Sequence, residues 1–169
     1  RGVAVGYDAL SSQDPSSNAD MYNVGVGYAA GAAVTTGVQN TLIGSLAGDA
    51  ITTGSNNVAL GRSSLGANTT ASNNTAVGYS SLVLNTTGTS NVAVGANALD
   101  ANTTAHNNTA VGYDALTTNT TGASNTALGQ GALELNTTAS NNTAVGKDAL
   151  TANTTGANNS ALGYNALLS

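Results

Sequence analysis

A chain of 169 residues with 7% charged side chains, a formal net charge of −5 and no Cys, Trp or Phe departs from ordinary globular domains, in which about 25% of residues are charged. Its three basic residues, Arg1, Arg62 and Lys147, cannot neutralise a run of phosphates, which excludes nucleic acid as a partner. Without Cys there is no disulfide framework. No apolar run approaches the about 20 residues of a membrane-spanning helix, so no membrane insertion is expected of this segment.

In chain order, the first element is Val3-Ala4-Val5-Gly6-Tyr7-Asp8-Ala9-Leu10. Residues 11–20 follow without any echo elsewhere, carry the sole proline, Pro15, and read as a tolerated loop insertion on one face. Glycines then recur at one constant interval, at Gly27, Gly44, Gly61, Gly78, Gly95, Gly112, Gly129, Gly146 and Gly163, with Gly6 standing one longer step ahead of Gly27. A fixed short period identifies a solenoid. The copies at Gly27 and Gly44 are less regular. They carry Ala30-Gly31 and Ala47-Gly48 where later copies place a small residue and Leu, as in Ala115-Leu116.

Within each copy the residue before the glycine is aliphatic (Ile43, Leu60, Val77, Val94, Val111), the residue two before it is mostly Ala, and the residue four before it is Asn. Val, Ile and Thr favour a pleated strand, and five residues reach about 17 Å, one short rung. The glycine bends the chain or admits a neighbouring backbone. A Thr-Thr pair follows, as at Thr86-Thr87 and Thr103-Thr104, and predicts a second strand. The closing turn alternates Ala71, Ala105 and Ala139 with Gly88, Gly122 and Gly156, a secondary period of two copies with two alternating coil conformations. The fold class is therefore all-β: a parallel β-roll solenoid of about ten 17-residue coils, about 48 Å long at the inter-strand spacing. Stacked Asn residues chain their amides and stacked aliphatic columns form the core.

Both faces of the first strand are apolar, Val/Leu on one and Ala on the other. A lone solenoid fills only its inside, so the second face predicts copies packed side by side about an axis. The larger Val and Leu are expected inside, and Ala76, Ala93, Ala110, Ala127, Ala144 and Ala161 toward partner chains as the self-assembly column. Because the coils are nearly interchangeable, sliding one chain by a rung is expected to change few contacts.

Asn-Thr-Ala-Val-Gly, with its variant Asn57-Val58-Ala59-Leu60-Gly61, is similar to the Asn-Ser-Val-Ala-Ile-Gly head repeat of YadA-like trimeric autotransporter adhesins. The form Asn-Thr-Thr-Gly-x-x-Asn-Thr-Ala-x-Gly also resembles repeats of phage tail fibres and bacterial surface fibres. The resemblance covers the whole chain except residues 11–20. It implies a homotrimer of left-handed parallel β-rolls, extracellular on a cell or virion surface, serving as a head or shaft that displays or spaces a receptor-binding element. The partner classes it implies are the chain itself and a cell-surface receptor or glycan. The coils of this chain are longer than those of the adhesin heads. Residues 1–169 read as one repeat domain and as a fragment of a longer fibre, since Arg1-Gly2-Val3 begins inside a repeat and no polar cap follows Leu168.

Catalytic, metal and cofactor sites are not expected, and the chain does not read as an enzyme. The single His106 occupies a turn column held by Ser72 and Ser140. Asp114 and Asp148 share a column but stand two rungs apart, about 10 Å, too far to share one calcium ion. The column after the glycine exchanges Tyr79, Tyr113 and Tyr164 with Arg62, Gln130 and Lys147, so it faces solvent, with packing along the roll favoured over a sugar-stacking role. Asn-x-Thr sequons at Asn68, Asn85, Asn102, Asn119, Asn136 and Asn153 arise from composition. The Thr-Thr column raises a rival reading, ice binding by a Thr ladder. Adjacent strand residues point to opposite faces, which leaves that ladder one Thr wide.

Overall fold

A computed structural model describes residues 2–14 and 20–167; the middle of the loop insertion, 15–19, lies outside the described residues. Ten strands form one sheet in strict chain order: β1 (Gly2–Val5), β2 (Asn23–Val26), β3 (Thr41–Ile43), β4 (Val58–Leu60), β5 (Thr75–Val77), β6 (Val92–Val94), β7 (Thr109–Val111), β8 (Thr126–Leu128), β9 (Thr143–Val145) and β10 (Ser160–Leu162). Every neighbouring pair is parallel, and Ala76 faces Ala93, Ala93 faces Ala110 and Ala110 faces Ala127 across the ladder. The protein is a β-solenoid with a 17-residue coil, and the described residues contain no helix.

Each coil holds one strand, not two. The Thr-Thr pairs lie in a bend, although their backbones still bond from coil to coil, as when Thr86 N–H donates to Thr103 O at 2.9 Å. Thr Oγ1 adds to that: Thr86 donates to Thr103 O, and Thr120 to Thr137 O. Strand propensity misled here because the preceding Leu residues, Leu82, Leu99 and Leu116, stand at φ of 51° to 53°. A left-handed Leu turns the chain too sharply to leave a flat strand behind it. Such a backbone costs about 1 kcal/mol or more per residue and persists only where packing enforces it. Here the packing is full burial of the Leu side chain, each of these being 0% exposed.

That Leu column decides which way the strand faces. Ala76, Ala93, Ala110, Ala127 and Ala144 are 0% exposed and Ala161 7%, so the self-assembly column assigned to them is corrected: they line the inside of the coil. Val and Leu before the glycine point outward instead, Leu60 being 43% and Leu128 47% exposed. A thin coil already filled by one Leu leaves room only for Ala on the opposite wall. The irregular early coils show the same exchange of volume. Leu42 takes the inner strand position, and Gly31 and Gly48 take the Leu column; a Cβ on Gly31 would lie 2.6 Å, and one on Gly48 2.8 Å, from a Leu42 methyl carbon.

Two buried Asn ladders complete the interior. In the first, Asn91 Oδ1 accepts from Asn108 N–H at 3.0 Å, and Asn108 Oδ1 from Asn125 N–H at 2.9 Å. In the second, Asn119 Nδ2 donates to Asn102 Oδ1 at 3.2 Å and Asn136 Nδ2 to Asn119 Oδ1 at 2.9 Å. Both ladders meet on one turn carbonyl per coil: Gly122 O accepts from Asn108 Nδ2 at 2.8 Å and from Asn119 Nδ2 at 2.9 Å. A Cβ on Gly122 would meet Ala139 O and lie 2.5 Å from Asn119 Oδ1, whereas in the alternate coils Ala105 and Ala139 hold the same turn position and accept the same two amides. Among the described residues no buried side-chain polar atom lacks a partner. Asn108→Ala strands the Asn125 amide in the interior and should cost about 1–3 kcal/mol, read as a lowered denaturation midpoint with unchanged slope.

Candidate functional site

With the interior closed, the surface that remains is the outward side of the sheet. Two columns stand on it, about 7 Å apart along the strand. One runs through Thr75, Val92, Thr109 and Thr126, the other through Val77, Val94, Val111 and Leu128. None of the outward residues of β2 through β10 is charged. The assembly residues expected from sequence are brought together as a single stacked column, but inside; the outward columns were missed. The exchange of Leu42 against Gly31 and Gly48 was the signal, visible in the sequence, that Ala and Leu share one interior.

Beside the sheet runs the column after the glycine. Tyr7 and Tyr28 stack at 5.7 Å with 7° between their planes, the Arg62 guanidinium lies 5.8 Å from the centre of the Tyr79 ring, and the Lys147 ammonium 5.9 Å from that of Tyr164. Each of these rings has one neighbour along the roll against it and stays at least half exposed. The Tyr113 hydroxyl is pushed above its usual range, chiefly by the charge of Asp114 and by a hydrogen bond to it.

Asp8, Asp114 and Asp148 all sit at φ of 55° or 56°, with Gly131 at 64° in the same column. Their spacing reflects a left-handed turn position, which Asp and Gly tolerate. Among the described residues no group of three or more His, Asp or Glu is placed to hold a metal ion. Burial raises the Asp100 carboxyl above its ordinary 3.8, partly opposed by the Thr117 hydroxyl donating to it at 2.8 Å. Between the ordinary and the raised value the folded coil holds this proton more tightly than the unfolded chain, so its contribution to stability falls as pH rises through that window. Asp100→Asn should therefore gain melting temperature relative to the unaltered chain as pH rises through that window. A relative loss across it would contradict the burial argument.

His106 is built into a coil-to-coil bond. Its Nδ1 accepts the Thr89 N–H at 2.9 Å, as Ser140 Oγ accepts from Ala123 N–H and Ser72 Oγ from Ser55 N–H, both at 3.0 Å. Serine can replace the ring there. His106→Ser should change stability by no more than about 0.5 kcal/mol, whereas His106→Ala should lose about 1 kcal/mol with the acceptor. Equal melting temperatures for the two variants would refute that role.

Of the sequon residues, Asn68, Asn85, Asn102, Asn119 and Asn136 are 0% exposed, with their amides held in the second ladder, so the folded coil does not present them. In the Thr pairs, the first hydroxyl is spent on the next coil's carbonyl, leaving the second, such as Thr87, Thr104 and Thr121, as a single exposed file. A groove at the last coil, lined by Leu150, Asn153, Thr154 and Leu167, and one at the first, lined by Val3, Tyr22 and Val24, hold no carboxylate, histidine or basic side chain. Compared with known proteins, the chain matches no family model, no curated protein and no solved structure.

Proposed function

We propose that this chain is a structural, adhesive segment of an extracellular fibre, a left-handed β-solenoid that joins two further copies of itself as a homotrimer and displays or spaces a receptor-binding element on a cell or virion surface. The observation that carries the reading is the outward sheet face. A charge-free band along a whole rod, with one column aliphatic in every coil beside a column of Thr, Val and Ser, carries a contiguous apolar stripe of the kind that marks an interaction surface, and identical copies meeting about a closed symmetry axis cover it equally. In this reading the Val and Leu columns meet at the axis, and the Tyr column and turns face outward. Light scattering tests it: the expected mass is three times the 16.3 kDa chain, and a 16.3 kDa particle at micromolar concentration would overturn it.

Ice binding is the alternative. The exposed file through Thr87, Thr104 and Thr121 repeats at the rung spacing of about 4.8 Å but is one hydroxyl wide. Thermal hysteresis that disappears when these three residues become Val would replace the fibre reading.

A further inference from the structure

The outward face is not equally apolar along its length. Its first column reads Val3 and Val24 on β1 and β2, but Thr109, Thr126, Thr143 and Ser160 on the last four strands. With Val5 and Val26 in the second column, β1 and β2 are the only successive strands with Val at both outward positions. The turn entering β2 departs from the repeat at the same place. It carries Tyr22, where every later coil has Gln, Asn or Ser, from Gln39 through Asn158. Tyr22 stands at a φ of 51° and is 49% exposed. Among the described residues neither a ring nor a cation lies against it, as one does against Tyr28, Tyr79 and Tyr164. Together with Val3 and Val24 it walls an apolar groove, on the flank of the sheet opposite Val5 and Val26.

We infer that this groove takes Val5 and Val26 of a second copy of the chain, and that this contact, repeated around the axis, anchors the assembly. The inference rests on the self-association proposed above. A ring of copies is held by unlike surfaces, one flank of each copy against the other flank of the next. The groove and the Val5–Val26 pair are two such flanks. They lie on the same two strands, about 7 Å apart along the strand, so each copy offers both at one height and the ring closes without a shift along the rod. The band is about 48 Å long and about 10 Å wide, about 500 Å² per copy, so two facing bands bury about 1,000 Å², the lower limit for a specific interface. An interface at that limit depends on a few well-filled pockets, and Tyr, Trp and Arg dominate such pockets. Among the described residues Tyr22 is the one side chain of these types on its flank of the sheet. Its ring is covered by the partner's valines while its hydroxyl keeps to water at the rim. At this end, therefore, one turn residue joins the interface.

Substitutions borrowed from the chain's own later coils test this. Tyr22→Asn combined with Val24→Thr gives the second coil the residues that Asn73 and Thr75 supply at β5, so the coil itself is undisturbed. Tyr22→Phe keeps the ring, and Val92→Thr makes the same Val-to-Thr exchange on β6, away from the groove. Sedimentation is followed over a concentration series beside the unaltered chain, with circular dichroism on every variant. The double variant should need about tenfold more protein, or beyond, for half-assembly, and Tyr22→Phe and Val92→Thr less than about threefold. A double variant that assembles like the unaltered chain overturns the inference and leaves self-association standing. So does a loss as large in Val92→Thr, which would spread the hold along the band, or in Tyr22→Phe, which would credit the hydroxyl. Should the double variant lose its β spectrum, Tyr22→Asn alone is held to the same criterion. A monomeric unaltered chain overturns the self-association reading, and the inference with it.

Discussion

Gly112→Val will unfold the coils on either side of position 112. A Cβ there would lie 2.5 Å from the carbonyl oxygen of Gly129 and 2.6 Å from its carbon, at a φ of 141°. The backbone conformation alone costs a non-glycine residue about 1–3 kcal/mol, and the clash adds to it because the obstacle is main chain held between two coils. The sum reaches the exceptional range above about 4 kcal/mol. Gly163 supplies the control: at φ 124° its added Cβ meets nothing within 4 Å among the described residues, so Gly163→Ala should lose only the conformational part. Equal destabilisation at the two sites, measured by thermal unfolding, would show that stacking of the bends is not what requires glycine.

Ala110→Arg will have an effect of similar size for a different reason. Its neighbours in the interior are Ala93 and Ala127, all three 0% exposed, and the Leu column fills the rest of the coil. A guanidinium there is an unpaired buried charge costing several kcal/mol, in addition to volume the coil does not have. Because each coil contacts only its neighbours, the rod should break at this rung, with loss of strand signal in circular dichroism. A variant that keeps the full β spectrum would mean that Ala110 does not face inward.

The period, the bends and the Asn ladder that leads into the strand were legible in the sequence because each is a column repeated once per coil, whereas the second ladder, Asn68 through Asn153, read only as sequons arising from composition. Orientation was less legible. Size alone points Val and Leu inward, but Leu82, Leu99 and Leu116 compete for the same space and fill it. Thr-Thr misled for a related reason. Its strand propensity is real, but the left-handed φ of the Leu before it is invisible to propensity and sets the chain into a bend. His106 read as a solvated turn residue. It is exposed, and it accepts a neighbouring coil's amide, as its exchange with Ser72 and Ser140 allowed.

In the proposed assembly the outward column is the surface through which copies meet. Val111→Arg, one residue from Ala110 and pointing the other way, tests it most directly. Circular dichroism and light-scattering mass are read on the same sample beside the unaltered chain. The expected result is a fully folded rod whose mass falls from three chains to one, 16.3 kDa, because three Arg side chains would otherwise crowd one axis. A Val111→Arg variant that stays folded and keeps the mass of the unaltered assembly would contradict it.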